Sequence, residues 1–249
     1  MDRPDIWFCG DVHGDLRKLR KLRRSLAEAA DKPRALILLG DLDPPEPVGE
    51  WLAPLAENGT EVWFIHGNHE TDNDLLYGNM FLSPGAERNL DGRVVEICGL
   101  RIAGLGGIFR EQAWYPPGEP RFDNCEALVE DCLVRLSKGQ RDGWSNGLIT
   151  GQGRPPTGKL RKHRSSIFPD IYHALADQRA DVLVTHEAPS CHPHGFEAID
   201  LLADVMGVRW VVHGHHHENY QWRPDGEGFG VIGVGLRGTA CMPSARWNG

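Results

Sequence analysis

The sequence predicts an α/β fold organised around a parallel β-sheet, and three observations support this. Over the first 65 residues, short apolar runs typical of strands alternate with helical patterns, which is the β-α-β-α-β order of a parallel sheet. The run Ala35 to Leu39 is apolar at every position, as expected for a parallel strand that is covered on both faces. Several apolar runs are followed at once by Asp, Asn or His, which gathers polar side chains at one edge of the predicted sheet.

The individual elements follow from local patterns. A first strand is predicted at 6–9 and a helix at 15–30. Four leucines recur at spacings of three and four along this helix, namely Leu16, Leu19, Leu22 and Leu26. The remaining predictions, in chain order, are a strand at 35–39, a helix at 51–57, a strand at 62–65, a hairpin of 93–98 with 100–103, helices at 125–138, 171–178 and 198–206, and strands at 182–184, 210–212 and 229–234.

Length and composition limit the class of protein. The chain has 249 residues without a linker-like break in composition, so we expect one domain over residues 1–249, with a mobile, basic insertion at 139–164. The formal net charge of −8 argues against a global attraction to nucleic acid or to an anionic membrane. No apolar run approaches the ~20 residues that span a bilayer. The six cysteines form neither a Cys-x-x-Cys pair nor a disulfide framework, and no signal sequence is evident, so we expect a cytoplasmic location.

Five segments place metal-binding side chains directly after an apolar run. They read Asp11-Val12-His13, Gly40-Asp41, Gly67-Asn68-His69-Glu70, Thr185-His186-Glu187 and Gly214-His215-His216-His217. Because the carboxyl ends of parallel strands meet at one sheet edge, we expect these side chains to lie together. Asp, Asn and His form a mixed nitrogen and oxygen site that suits hard-to-borderline divalent cations, and they are numerous enough for two ions.

In this order, the five segments resemble those of the calcineurin-like metallophosphoesterases. The resemblance covers positions 9 to 217. It implies a four-layer αββα sandwich of two mixed β-sheets flanked by helices. It also implies a phosphoesterase with two divalent ions. In such an enzyme, a metal-bound hydroxide attacks the phosphorus of a phosphodiester or phosphomonoester in line. Manganese is the ion we expect first, with iron, zinc or nickel as alternatives.

The resemblance further implies a ligand set. One ion would take Asp11, His13 and His217, and the other would take Asn68, His186 and His215. We expect Asp41 to bridge the two ions, because one carboxylate can hold two cations ~3.5–4 Å apart. His215 and His217 are two residues apart in a segment expected to be extended, so both should face the site while His216 faces elsewhere.

Three further residues are candidates for work on the substrate. His69 matches the family position proposed as the general acid for the leaving oxygen, a role that suits an imidazole near neutral pH. Arg110 follows the Gly106-Gly107 turn and is a candidate for stabilising charge on the phosphoryl group. His194 is a candidate substrate contact.

The motifs leave the substrate open. Gly-Asp-x-His-Gly and Gly-Asn-His-Glu are similar to the serine/threonine protein phosphatase branch, but the segment after Asp41 lacks the arginine that holds phosphate there. The His-x-His ending is more similar to the phosphodiesterase branches. The alternatives are a serine/threonine-type protein phosphatase, a nuclease directed to RNA or DNA, and a non-catalytic metal-binding scaffold. The expected partner is therefore a phosphoester, either a small molecule or a nucleic acid, and not a membrane.

Two basic clusters contrast with the acidic total. They are Arg17, Lys18, Arg20, Lys21, Arg23 and Arg24 in the first helix, and Arg154, Lys159, Arg161, Lys162 and Arg164 in the insertion. Either cluster could follow a nucleic-acid backbone, and the alternatives are a solvated helix face and a mobile loop.

Overall fold

A computed structural model describes residues 6–29, 32–57, 59–135 and 159–242. Its strands are β1 (Ile6–Cys9), β2 (Ala35–Leu39), β3 (Glu61–Ile65), β4 (Arg93–Ile97), β5 (Leu100–Leu105), β6 (Val182–Thr185), β7 (Trp210–His213), β8 (Tyr220–Trp222), β9 (Gly230–Gly233) and β10 (Thr239–Cys241). Its α-helices are α1 (Leu16–Glu28), α2 (Val48–Ala56), α3 (Asp74–Phe81), α4 (Cys125–Arg135), α5 (Lys159–Lys162), α6 (Pro169–Ala176) and α7 (Glu197–Met206). Short 3₁₀ helices form at His69–Thr71, Ala86–Arg88 and His163–Ser165.

The strands form two mixed sheets. The first has the order β10-β1-β2-β3, in which β1, β2 and β3 are parallel and β10 is antiparallel to β1. The second has the order β4-β5-β6-β7-β9-β8, with a parallel centre and antiparallel strands at both edges. The predicted α/β class with two mixed sheets is therefore confirmed.

Three apolar clusters separate four layers. One lies between the sheets and joins residues such as Phe8 and Ile37 of the first sheet to Val184 and Val212 of the second. A second packs α1 and α2 on the outer face of the first sheet. A third packs α6 and α7 on the outer face of the second sheet. Both sheets are thus covered on both faces, and the central strands are therefore buried and mostly apolar, with β2 apolar at every position.

Helix α1 illustrates how local sequence positions the functional loops. Asp15 caps its amino end, because the carboxylate accepts hydrogen bonds from the backbone N–H groups of Arg17 and Lys18. Leu19, Leu22 and Leu26 are buried on the first sheet. The helix therefore starts immediately after the loop of residues 10–14 and fixes the end of that loop.

Several sequence predictions differ from the structure. Helix α3 and the strands β8 and β10 were missed, and α6 starts two residues earlier than predicted because Pro169 occupies its first turn, where a missing N–H costs nothing. The predicted insertion without regular structure was expected to reach residue 164, but residues 159–165 are helical, and Leu160 and Arg161 are buried there. The rest of that insertion, 139–158, lies outside the described residues.

Candidate metal centre

The predicted ligands meet where strands of both sheets end. Asp11 and His13 follow β1, Asp41 follows β2 and Asn68 follows β3 in the first sheet, while His186 follows β6 and His215 and His217 follow β7 in the second. Among the described residues, four groups of three have their ligand atoms within 4.8 Å of one another, and two of these consist only of predicted ligands, namely Asp11 with His13 and His217, and Asp41 with His186 and His215. The site therefore lies at the joint edge of the two sheets, where ligand crevices form in open α/β folds.

The backbone of the site is unusual. His13, Asp41, His215 and His217 have φ angles of 48°, 47°, 68° and 59°, in the left-handed region that side chains other than glycine rarely adopt. Such conformations cost about 1–3 kcal/mol each and occur mostly at functional sites. They also correct one prediction, because the segment of His215 to His217 is not extended. His215 and His217 reach the two ligand groups through tight turns, while the ring of His216 stacks on His192 at 4.1 Å.

The first ligand group contains a buried oxygen that suits a cation. Asp11 is fully buried, and its Oδ1 accepts a hydrogen bond from the backbone N–H of His215. Its Oδ2 lies 2.9 Å from Nε2 of His217 but receives no hydrogen bond from the described residues. Burial raises the pKa of this carboxyl group. An anionic oxygen and an imidazole nitrogen that converge without a shared hydrogen bond have the arrangement of two ligands of one ion.

The second ligand group is organised around Asp41. Its Oδ1 accepts hydrogen bonds from the backbone N–H groups of Asn68 (2.8 Å) and His69 (2.9 Å). Its Oδ2 lies 3.4 Å from Nε2 of His186, and the same nitrogen lies 3.3 Å from Oδ1 of Asn68. The Nδ1 atom of His186 donates to the carbonyl of Leu39 at 2.7 Å, which directs Nε2 towards the carboxylate.

Electrostatics couple the two members of this group. Burial alone would raise the pKa of Asp41, but the facing His186 and the backbone amide of His69 lower it well below its usual range. Burial alone would lower the pKa of His186, but the charge of Asp41 raises it to about 10. The imidazolium is therefore the positive charge that balances Asp41 when no metal ion is present.

A surrounding set of carboxylates orients the candidate ligands. Asp43 Oδ2 lies 2.9 Å from Nδ1 of His13, and this hydrogen bond raises the pKa of His13. Glu70 is fully buried and accepts hydrogen bonds from the backbone N–H groups of Gly67 and Leu42, so it ties the loop after β3 to the loop after β2. Sequence reasoning did not assign these roles, although Asp43 and Glu70 stand two residues beyond candidate ligands.

His69 lies at the open side of the site. Its side chain is 43% exposed, and its Nε2 lies 3.9 Å from Oδ2 of Asp41. Its Nδ1 lies 2.7 Å from Oδ2 of Asp72. The ring centroid is 5.0 Å from that of His13. The imidazole is thus held from one side by a carboxylate and presents its other nitrogen towards the ligand groups.

The two candidate substrate contacts lie further out. Arg110 is buried, and its terminal nitrogens donate to the backbone and side-chain oxygens of Ser165. Burial lowers the pKa of Arg110 to about 10. His194 is exposed and lies on the wall of a cleft of about 700 Å³, with its ring centroid 6.0 Å from that of His216. The structure does not bring either side chain into the two ligand groups.

The two basic clusters have different environments. Arg161 is buried and donates to the carbonyls of Thr71 and Asp72 and to the carboxylate of Asp74, so it is not available to a nucleic acid as the sequence suggested. Arg164 pairs with Glu126 at 3.4 Å. Most of the basic side chains of α1 are exposed, as for a solvated helix face. Of the helices described, none has the length and apolar character needed to cross a membrane.

Comparison with known proteins decides the family. Residues 4–219 match the family model described as calcineurin-like phosphoesterase. The chain belongs to this family. A Haemophilus influenzae protein without a characterised function is 38% identical over 235 residues, which cover 94% of this chain and 92% of that protein. A UDP-2,3-diacylglucosamine hydrolase of Ralstonia nicotianae is 26% identical over an alignment that covers 89% of this chain and 81% of that protein.

Solved structures agree with this assignment at the level of the fold. The protein TT1561 of Thermus thermophilus has a TM-score of 0.51 at 15% identity, covering 95% of this chain and 91% of that chain. The phosphopantetheinyl hydrolase of Mycobacterium tuberculosis has a TM-score of 0.50 at 16% identity, covering 94% of this chain and 90% of that chain. The protein is accordingly a metallophosphoesterase, a hydrolase of phosphoester bonds that depends on divalent metal ions.

Proposed function

We propose that the protein is a dinuclear phosphoesterase that cleaves a phosphodiester or phosphomonoester by in-line attack of water. The observation that carries the proposal is the presence of two ligand groups of three side chains each, with Asp41 beside both His186 and the loop of Asn68. In this proposal Asp11, His13 and His217 hold one ion. Asn68, His186 and His215 hold the other, and the carboxylate of Asp41 is shared.

The mixed ligand set also favours a class of metal. Imidazole nitrogen, carboxylate oxygen and amide oxygen together suit manganese, iron, zinc or nickel better than magnesium or calcium, and we propose manganese first. When bound, two such ions would polarise the phosphoryl group and lower the pKa of a bound water. The negative charges of Asp11 and Asp41, buried in the site, provide the attraction for these cations.

The side chains perform the remaining steps. Asp72 Oδ2 lies 2.7 Å from Nδ1 of His69 and orients the ring so that the proton on Nε2 is directed towards the ligand groups. His69 gives this proton to the leaving oxygen as the phosphoester bond breaks. Glu70 keeps the loops of Asp41 and Asn68 at a fixed separation, because its two oxygens accept from both loops.

Two alternatives lose support from the site. A nuclease that grips its strand with the insertion loses one of its predicted contacts, because Arg161 is committed to internal hydrogen bonds. A protein phosphatase of the serine/threonine branch would need the arginine that holds phosphate, whereas Pro44 and Pro45 stand in that segment. The cytoplasmic location and the phosphoester partner stay predictions.

The test is hydrolysis of bis(p-nitrophenyl) phosphate and of p-nitrophenyl phosphate after chelation and addition of single metal ions. Cleavage that returns with manganese is the expected result, and the preferred ester then assigns the enzyme as a diesterase or a monoesterase. Activity that persists at full rate after complete chelation would refute the proposal. No cleavage of either ester by protein that has bound metal would instead support a non-catalytic scaffold.

His69 has a separate test that depends on the leaving group. A general acid matters most for a basic leaving oxygen, so H69N should lose about 10²–10⁴-fold on a phenyl ester and clearly less on the p-nitrophenyl ester. Equal losses on both esters, with metal content unchanged, would contradict the assigned proton transfer.

A further inference from the structure

A cleft of about 700 Å³ opens beside the candidate metal centre and contains none of its ligands among the described residues. Its walls come from the segment 114–120, from α6 and from the segment 193–201. This volume lies in the range of about 300–1,000 Å³ that is typical of small-molecule sites. The family assignment and the ligand groups leave this cleft without a role.

The walls of the cleft are aromatic. Tyr115 and Phe196 lie edge to face with centroids 5.2 Å apart, and Trp114 lies edge to face with Tyr172 at 5.1 Å. Phe109 contacts both Trp114 and Phe196 from behind, at 5.2 and 4.8 Å. Rings that are buttressed in this way form a rigid surface that attracts a planar ring, because flat π-systems stack at little entropic cost.

The loop that carries two of these rings is fixed by its own hydrogen bonds. Trp114 Nε1 donates to the carbonyl of Gly118 at 3.1 Å, and the backbone N–H of Gly118 donates to the carbonyl of Tyr115 at 3.0 Å. The backbone N–H of Arg121 donates to the carbonyl of Ala113 at 2.8 Å. The aromatic surface is therefore formed before any ligand arrives.

The charge of the cleft restricts its occupant. Within the part of the chain that the structure describes, the lining contains no lysine or arginine, but it contains Glu119 and Glu197, which are exposed, and the imidazoles of His173 and His194. Two carboxylates disfavour a second phosphate and accept hydrogen bonds from N–H or O–H groups. A heteroaromatic ring offers polar edges to these groups as well as flat faces to the aromatic walls, and a plain alkyl chain offers neither.

The cleft is connected to the metal centre by a chain of histidines. The ring of His194 in the cleft wall is 6.0 Å from His216, His216 is 4.8 Å from His215, and His215 is 4.7 Å from His186. The cleft wall is thus separated from the candidate ligand His215 by the ring of His216, and we place one ester arm of a bound phosphoryl group on this side of the metal centre. The arm that suits the aromatic cleft ends in a planar, uncharged ring.

From these observations we infer that the cleft binds the base of a nucleoside whose phosphoester is hydrolysed at the metal centre. The inference rests on the proposed function for the position of the phosphoryl group. The stacking of the base on Tyr115 would select the substrate, and His194 would line the route between base and phosphate.

The test compares ligands that differ only in the base. Adenosine 5′-monophosphate and ribose 5-phosphate are titrated into the metal-loaded protein by calorimetry. Stacking on aromatic side chains predicts about 10-fold tighter binding of the nucleotide. Y115A should remove most of this difference, while Y115F should keep it, because the ring and not the hydroxyl provides the stacking. W222A changes an aromatic side chain of similar exposure outside the cleft and should leave both affinities unchanged.

A kinetic comparison separates this inference from the proposed function. Thymidine 5′-(p-nitrophenyl phosphate) and methyl p-nitrophenyl phosphate share a leaving group, and the first should have about 10-fold higher kcat/KM in wild type but not in Y115A. If both esters are cleaved but the base gives no advantage in rate or binding, the inference falls and the phosphoesterase stands. If neither ester is cleaved but binding depends on the base and on Tyr115, the base-binding cleft stands, whereas the phosphoesterase and the hydrolysis of the bound nucleotide fall. Decyl phosphate that binds more tightly than the nucleotide and loses affinity in Y115A would assign the cleft to an acyl chain and overturn the inference.

Discussion

Replacing Gly67 with alanine should remove at least half of the bound metal without unfolding the protein. A Cβ atom at this position would stand 2.2 Å from Oδ1 of Asp41, 2.5 Å from its backbone nitrogen and 2.7 Å from Cε1 of His186. Ordinary van der Waals contact begins at 3.4 Å, so the carboxylate oxygen would have to move by about 1 Å. Gly67 is therefore required because a ligand carboxylate passes directly over its Cα atom.

The size of the effect follows from what Asp41 would lose. Its Oδ1 accepts hydrogen bonds from the backbone N–H groups of Asn68 and His69, and a shift of about 1 Å breaks both. A misplacement of this size in a catalytic site costs about 10²-fold in rate. Overpacking costs about 1–3 kcal/mol of stability, which a domain with several apolar clusters can tolerate.

The assay measures bound manganese by mass spectrometry, hydrolysis of bis(p-nitrophenyl) phosphate and thermal unfolding of the chelated protein. G67A should lose at least half of its metal and about 10²-fold in kcat/KM while it still unfolds cooperatively. G78A is the matched control, because a Cβ atom on this residue of α3 meets nothing within 4 Å and alanine favours the helix by about 0.5–1 kcal/mol. If G67A keeps its metal and stays within twofold of wild-type activity, the reasoning about Asp41 is refuted.

Three further predictions concern protons, orientation and stability. Metal binding should displace the proton of His186, whose pKa is about 10 without the ion. The apparent affinity for the metal should therefore rise about tenfold per pH unit between pH 7 and 9. Identical calorimetric heats in buffers of different ionisation enthalpy would contradict this. D72N should lower kcat by about 10-fold with metal content unchanged, because Asp72 orients the ring of His69. An unchanged kcat would argue against this role. R161M should destabilise the fold by about 3 kcal/mol in denaturant unfolding, because the carbonyls of the His69 loop lose their donor. The neighbouring K162M should leave stability unchanged. Equal unfolding midpoints for the two variants would contradict the structural role of Arg161.

The positions of the candidate ligands could be predicted because they depend on one regular feature. Parallel strands end at a common edge, and Asp11, Asp41 and His186 each stand within two residues of a strand end. The apolar run of β2 and the leucine spacing of α1 were equally direct, since both are local patterns set by burial.

The supporting contacts could not be predicted, because they join residues that are distant in sequence. Arg161 reaches the loop of Thr71 across 90 positions, and Glu187 accepts from the backbone of Phe109 across 78. Helix α3 was missed although Asn73 caps it. Leu75 in the helix and Leu82 just after it are exposed, so the apolar residues of this segment do not mark a single buried face. The left-handed conformations of His215 and His217 leave no signal in the sequence, which is why the extended geometry expected there was wrong.

The central claim is that two ions are held around a shared Asp41, and the most direct test is a titration of manganese into chelated protein with activity followed at each addition. With a dinuclear centre, activity and bound metal should both saturate at two ions per chain. D41N, which keeps the size of the side chain and its acceptor oxygen, should bind fewer than two ions and lose activity by at least about 10²-fold. Saturation of activity at one ion per chain, or a D41N protein with two ions and full activity, would contradict the dinuclear centre.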